Sequence, residues 1–321
     1  MVLSVVRQRG KQRVMPRRAA AETEIALRDV TVRYALKDGS EKTVLERLSL
    51  EIRAGEFVAV LGETGCGKST LLRMVLGQEF PSEGAVVVDG KPVRRIDARC
   101  GYVPQKYALF PDRTVMQNLM YGPENAFCGW MGRLRPRFWR FRRELRAEAA
   151  QMLLRMGLKS GDFGKYPGQL SGGMQQRVAI AQALVMRPPV LLMDEAFSAL
   201  DPATRASLQQ QLRDVWQETR PTVLFVTHNT SEALLLATRV LVLRPHVEGE
   251  TETNVLMDMH VPHTSEPLAV RRRTREFEQL HEHVKQIAFR EPAMEVATGQ
   301  VQEMPLRAEP GHSDSDRSDS E

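Results

Sequence analysis

The sequence has no apolar run near the roughly 20 residues that a membrane-spanning helix needs, so no segment reads as a span. It has only three cysteines in 321 residues. Cys66, Cys100 and Cys128 cannot all pair with one another, and their spacing fits no zinc pattern. A disulfide scaffold and a zinc module are therefore not indicated, and a reducing cytoplasm is the simplest setting. There is no internal repeat. The basic residues 1–22 lack the continuous apolar stretch of a secretory signal and read as a flexible arm. Charge of one sign is also short: 45 Lys and Arg against 40 Asp and Glu leave only +5. That permits contact with nucleic acid or anionic lipid and demands neither.

What is present is an ordinary globular composition, long enough for one large domain with appendages or for two. Residues 24–34 suit a half-buried strand, with a slip in the alternation near Arg28 and Asp29. Strands are predicted at 44–52, 57–61, 85–88 and 100–104, with a hairpin signal at Asp89-Gly90. From about 106 to 185 the periodicity is helical. Thr114 is placed to cap a helix, 144–156 is amphipathic, and a helix is predicted over 175–186. Strands at 189–193, 222–226 and 240–243 alternate with helices at 202–217 and 231–237. Apolar runs separated by helices predict an α/β fold with a parallel sheet covered on both faces. Residues 246–270 are polar with little pattern, and 271–289 read as a helix packing on the domain through Phe277, Leu280, Val284 and Ile287. Residues 291–321 read as a disordered acidic tail.

One stretch organises the rest. Gly62, Glu63, Thr64, Gly65, Cys66, Gly67, Lys68, Ser69 and Thr70 fit the phosphate-loop pattern G-x-x-x-x-G-K-[ST], entered by a strand and left by a helix that Gly77 can stop. The glycines let successive N–H groups turn inward around an anion, and the helix start adds more donors. Lys68 supplies a point charge for β- and γ-phosphates, and Ser69 a hydroxyl ligand for Mg²⁺.

Four further features sharpen this. The strand at 190–193 delivers Asp194 and Glu195 at its end, suited to holding Mg²⁺ and to orienting or deprotonating a water. Ser171, Gly172 and Gly173 precede a helix, with Ser171 as cap and phosphate ligand, a second anion site on the chain. Two such sites predict a head-to-tail dimer with each ATP between two chains. Gln105 follows the strand ending at Pro104 and can touch both Mg²⁺ and a water. His228 follows the strand at 222–226, where it can contact a γ-phosphate or serve only structurally.

The order of these motifs, with Asp201 in Ser198-Ala199-Leu200-Asp201, resembles the ATP-binding subunits of ABC transporters over residues 24–245. Residues 100–119 and 170–184 are similar to the importers of the nitrate, sulfonate and taurine group. The resemblance implies a RecA-like phosphate-loop core in a domain of residues 23–245, with an antiparallel β subdomain and an inserted helical subdomain at about 106–185. A C-terminal extension at 246–290 would follow. It implies ATP and Mg²⁺ as cofactors, Tyr34 stacked on adenine, Lys68 and Gln105 beside Glu195 and His228 in catalysis, and Asp201 coupling two sites. It implies an integral membrane permease and a second ABC subunit as partners, a substrate-binding protein indirectly, and the cytoplasmic face of the inner membrane. No nucleic-acid partner is expected. A soluble ABC ATPase acting on DNA or ribosomes, and a nucleotide-gated regulatory subunit, are the alternatives. The departures are Met174 for Gln, Ala196 for Pro, Gly168 for His and Asn229 for Asp; none removes a phosphate, metal or base role.

Two further expectations concern single features. The basic and aromatic run at 130–143, with Trp130, Trp139, Arg137, Arg140 and Arg142, suits docking near a permease and an anionic leaflet, or else a solvated helix–turn. Cys66 lies beside a helix N-terminus, which predicts a lowered thiol pKa and protection from alkylation by ATP.

Overall fold

The computed structural model describes residues 23–289, apart from 97–98, 107, 128–135, 248–252 and 263–265. The arm at 1–22, the tail at 291–321, Cys128 and residues 130–135 of the basic run lie outside the described residues. In chain order the first half comprises β1 (Thr23–Ala35), β2 (Glu41–Arg53), β3 (Phe57–Gly62), α1 (Lys68–Leu76), β4 (Glu83–Val88), β5 (Lys91–Pro92), β6 (Cys100–Val103) and α2 (Val115–Phe127). There follow α3 (Pro136–Arg155), α4 (Gly172–Val185), β7 (Val190–Asp194), α5 (Pro202–Thr219), β8 (Thr222–Val226), α6 (Thr230–Leu236), β9 (Arg239–Leu243), β10 (Val255–His260), α7 (Leu268–Arg271) and α8 (Arg275–Ala288).

The strands form two sheets. One is antiparallel in the order β2-β1-β4-β5. The slip expected near Arg28 is a bulge: Asp29 has φ 47° and the β1–β2 register shifts between Leu27 and Val30. The other has the order β10-β9-β3-β8-β7-β6 and is parallel except for β10. Its central strands β3, β8 and β7 are almost wholly apolar and buried because both faces are covered. In β3, Phe57, Ala59 and Leu61 enter a core shared with the helices α2–α6, while Val58 and Val60 enter one shared with α1 and the antiparallel sheet.

The helical region is tied down at the start of α2. The Gln117 N–H donates to Thr114 Oγ1 at 3.3 Å and the Thr114 N–H to Gln117 Oε1 at 2.9 Å, a reciprocal box that starts α2. Buried Asn118 then ties the loop after β6 to that helix, its Nδ2 donating to the carbonyls of Phe110, Arg113 and Thr114. Two boundaries differ from expectation. α3 begins at Pro136 rather than 144, because proline suits a first helical turn and Phe138 is buried there. α4 begins at Gly172 rather than 175, so both glycines belong to its first turn.

The C-terminal extension is more ordered than its composition suggested. Residues 246–270 contain β10, which pairs antiparallel with β9. Arg239 clamps it, donating from Nε and Nη2 to Asp258 Oδ1 and Oδ2 at 2.7 Å each. α8 packs on the domain as expected, with Phe277 and Val284 buried and Leu280 and Ile287 against the same core.

Candidate nucleotide site

Parallel sheets gather ligand groups at the carboxyl ends of their strands. Here Gly62 ends β3, Asp194 ends β7, Gln105 follows β6, and Thr227 and His228 follow β8. The loop after β3 takes backbone that L side chains resist, with φ 87° at Gly65 and 100° at Gly67. A Cβ on Gly67 would lie 2.6 Å from Leu45 Cδ2, whereas nothing stands within 4 Å of one on Gly65. The loop is therefore walled behind and open at Gly65. Glu63 and Thr64 share its exposed side, and Thr70 is buried in α1. Lys68 Nζ folds back to donate to the carbonyls of Gly62 at 2.8 Å and Glu63 at 2.7 Å.

The acidic pair behaves as two different groups. Burial, and then the neighbouring Glu195 charge, push the Asp194 carboxyl up, while a hydrogen bond from Ser69 opposes them. Glu195 sits at φ 44°, a strained conformation for a residue with a side chain. Its backbone is fixed by N–H donation to the Val226 carbonyl at 2.9 Å, and its carbonyl accepts from Ser198 Oγ at 2.9 Å. Its side chain is fixed as well: Gln105 Nε2 donates to Oε2 at 2.8 Å, and His228 Nδ1 lies 3.5 Å from Oε1. Gln105, Glu195 and His228 come from three separate loops and meet here.

The residues present fit the groups that the motifs imply. Ser69 and Asp194 are hard oxygen donors of the kind Mg²⁺ takes, and a half-buried carboxylate whose charge is disfavoured by desolvation is one that a cation would stabilise. An open cradle beside a lysine held by two backbone carbonyls and the Cys66 sulfur, with no carboxylate partner among the described residues, fits phosphate.

Other expected residues make their contacts elsewhere. The Tyr34 ring is 37% exposed; its hydroxyl donates to Glu79 Oε2 at 2.7 Å and lies 3.2 Å from Thr70 Oγ1. Ser171 caps α4 by accepting from the Met174 N–H at 3.3 Å. A Cβ on Gly173 would meet Thr204 Cγ2 at 2.8 Å, so that glycine also serves the close approach of α4 and α5. Asp201 caps α5, accepting from the Thr204 N–H at 3.0 Å, and these bonds hold its carboxyl below the usual range. Asn229 caps α6 through the Glu232 N–H at 3.2 Å, which explains why an amide serves in place of Asp.

The expectation for Cys66 is overturned. Its side chain is 0% exposed, and burial pushes the thiol up despite Lys68 nearby. Desolvation outweighs the helix terminus. The sequence reading also passed over the buried bond from Thr227 Oγ1 to Glu232 Oε2 at 2.9 Å, which anchors the segment carrying His228. Its one sequence signal is an acid in the first turn of α6.

The ABC transporter family model matches residues 45–198. An ABC transporter ATP-binding protein of Methanocaldococcus jannaschii, itself uncharacterized, is 41% identical over 227 residues, spanning 70% of this chain and 79% of that protein. The chain belongs to the ABC transporter family. The nitrate import ATP-binding protein NrtC of Synechococcus elongatus is 40% identical over 210 residues, 65% of this chain but only 30% of that longer protein. Relatives named for bicarbonate and for sulfate or thiosulfate import also match. A solved dimeric ATP-binding cassette in a post-hydrolysis state, bound to ADP and Pi, aligns with TM-score 0.61 at 28% identity, over 75% of this chain and all of that one. The fold is thus the ABC ATPase fold, and the chain is an ATP hydrolase of this type, using ATP and Mg²⁺. Among the described residues no helix is long and apolar enough to cross a membrane.

Proposed function

We propose that the chain powers a membrane permease for uptake of a small anion or sulfonate, such as nitrate, sulfonate or taurine. The observation that carries the catalytic half is the meeting of Gln105, Glu195 and His228 beside the Ser69–Asp194 pair. Glu195 is the base that takes a proton from the attacking water, its carboxylate aimed by Gln105. His228 contacts the γ-phosphate and holds Glu195. Lys68 leaves the Gly62 and Glu63 carbonyls to meet the β- and γ-phosphates, and the loop from Gly62 to Thr70 cradles them. Ser69, Asp194 and Gln105 hold Mg²⁺, which supplies charge stabilisation to the phosphates. Tyr34 offers its open face to adenine.

The chain works as one half of a dimer, as the ADP-bound cassette does. Ser171, Gly172 and Gly173 meet the nucleotide held by the second subunit, and Asp201 couples the two sites. Closing the dimer moves the helical subdomain, and the segment after Gln105 passes that motion to the permease. The choice of anion rests on relatives named for nitrate, bicarbonate and sulfate import.

This role puts the chain on the cytoplasmic face of the inner membrane, with an external substrate-binding protein reached through the permease. The N-terminal half of α3 suits that setting. Trp139 is 59% exposed, with Arg137, Arg140 and Arg143 exposed around it. Arg140 and Arg142 are paired with Glu144 and Glu124, so Arg137 and Arg143 are the better residues to replace when testing contact with anionic vesicles.

The deciding experiment is a tagged pull-down from detergent-solubilised native membranes with mass spectrometry of the partners. A stoichiometric multi-span permease supports the reading, and its own relatives narrow the anion. Recovery of ribosomes or DNA-associated proteins alone overturns it.

A further inference from the structure

Away from the phosphate loop, a cavity of about 160 Å³ lies between α5, α6 and the C-terminal extension. Arg205, Gln209, Asn229, Ser231, Glu232 and Arg272 line it. Gln209 is 1% exposed, and its Nε2 has no hydrogen-bond partner. Its Oε1 faces Arg272 Nη2 at 3.5 Å, which leaves Nε2 as the unpartnered end of the amide. The buried Nε of Arg205 likewise has no hydrogen bond, although it stands 3.6 Å from Glu232 Oε1. Unmade donors of this kind are costly in a native interior. Two guanidiniums against one carboxylate leave the lining net positive, and the Ser231 hydroxyl adds a further donor group.

We propose that this cavity is a regulatory site for a small oxyanion, held by Arg272, the Gln209 amide and the Arg205 guanidinium. A planar or tetrahedral oxyanion offers several acceptors to converging N–H donors, which chloride does not, and guanidinium matches it bidentately. Glu232 opposes the anion, but it is engaged by the Thr227 hydroxyl and paired with Arg205, and the two guanidiniums outweigh its charge.

The position gives such an anion a route to ATP turnover. An anion drawing on Arg205 weakens its hold on Glu232. Glu232 anchors Thr227, which precedes the histidine beside Glu195. α5, which supplies Arg205 and Gln209, begins at the Asp201 cap. This coupling rests on the catalytic reading above; the binding site itself does not.

The test uses the full chain with sulfate as probe, titrated calorimetrically with a non-hydrolysable ATP analogue and Mg²⁺ at saturation, so that the β- and γ-phosphate positions of the loop are both filled. Chloride at matched ionic strength is the control. Wild type is expected to bind sulfate in preference to chloride. Arg272→Ala, at an exposed position, is expected to weaken binding about tenfold through loss of a charged donor. Gln209→Leu, which is near-isosteric and removes the amide, is expected to do the same, with affinity for the analogue unchanged in both. No binding beyond chloride, or equal affinity in both variants, overturns the site. Sulfate is also expected to change the ATPase rate at saturating ATP in wild type and not in Arg272→Ala. Specific binding with an unchanged rate overturns the coupling while leaving the catalytic reading intact.

Discussion

Replacing Gly65 and Gly67 separately with alanine tests whether the phosphate loop is walled on one side and open on the other. Both have positive φ, so alanine at either costs about 1–2 kcal/mol of backbone strain. At Gly67 the new methyl also lands 2.6 Å from Leu45 Cδ2, 3.0 Å from Leu45 Cγ and 3.3 Å from Val44 Cγ1. Leu45 is wholly buried and has little room to swing aside, so overpacking adds about 1–3 kcal/mol. Gly67→Ala should therefore lose about 2–5 kcal/mol in total, and Gly65→Ala about 1–2, since nothing lies within 4 Å there. At about 2–4 °C per kcal/mol the melting temperatures should separate clearly. Urea unfolding of the nucleotide-free protein gives the energies, and equilibrium ATP titration gives the second readout. Gly65→Ala should weaken ATP more than it weakens the fold, because its methyl occupies the open side. Equal unfolding midpoints, or Gly65→Ala as the less stable variant, would refute the reasoning.

Two other outcomes follow from desolvated groups. Native Cys66 should resist alkylation with or without ATP and react only on unfolding, while the partly exposed Cys100 labels in the folded chain; rapid native labelling of Cys66 would contradict its burial. Asp194 holds its proton more tightly folded than at its unfolded value near 3.9. Folding is thus penalised as pH rises through that value, and the penalty stands in full above the folded pKa. Asp194→Asn should raise the melting temperature of the nucleotide-free protein at pH 7, flatten its rise toward acid and depress Mg²⁺-dependent ATP hydrolysis; a lower melting temperature would count against it.

Much of this architecture was legible because local chemistry and global fold agree. The strand into Gly62, the Ser171 and Thr114 caps and the strand ending at Asp194 carry short-range signals, and the two-faced burial of β3 removes the alternation that a one-sided strand would show. Even the Arg28 slip surfaced as a bulge. What escaped depends on partners distant in sequence. β10 alternates half-buried and exposed residues along an edge, and it is defined by Arg239, the β9 backbone and the packing of Met257 and Met259 on the core, all distant in sequence. The Cys66 environment was misjudged because an adjacent helix start is visible in sequence and burial is not. Gly173 was read as part of a second anion site, while its contact with Thr204 depends on how α5 comes back against α4. The Gln105–Glu195 bond joins residues 90 apart; each was nameable alone, and their contact was not.

The most direct measurement is steady-state ATP hydrolysis by Glu195→Gln against wild type, with ATP affinity measured in parallel. Gln105 and the backbone anchors at Val226 and Ser198 remain, so the fold and nucleotide binding should persist. With the base removed, turnover should fall by about 10²–10⁴-fold while affinity stays near wild type. Hydrolysis at a near-normal rate, with nucleotide bound normally, would contradict the account.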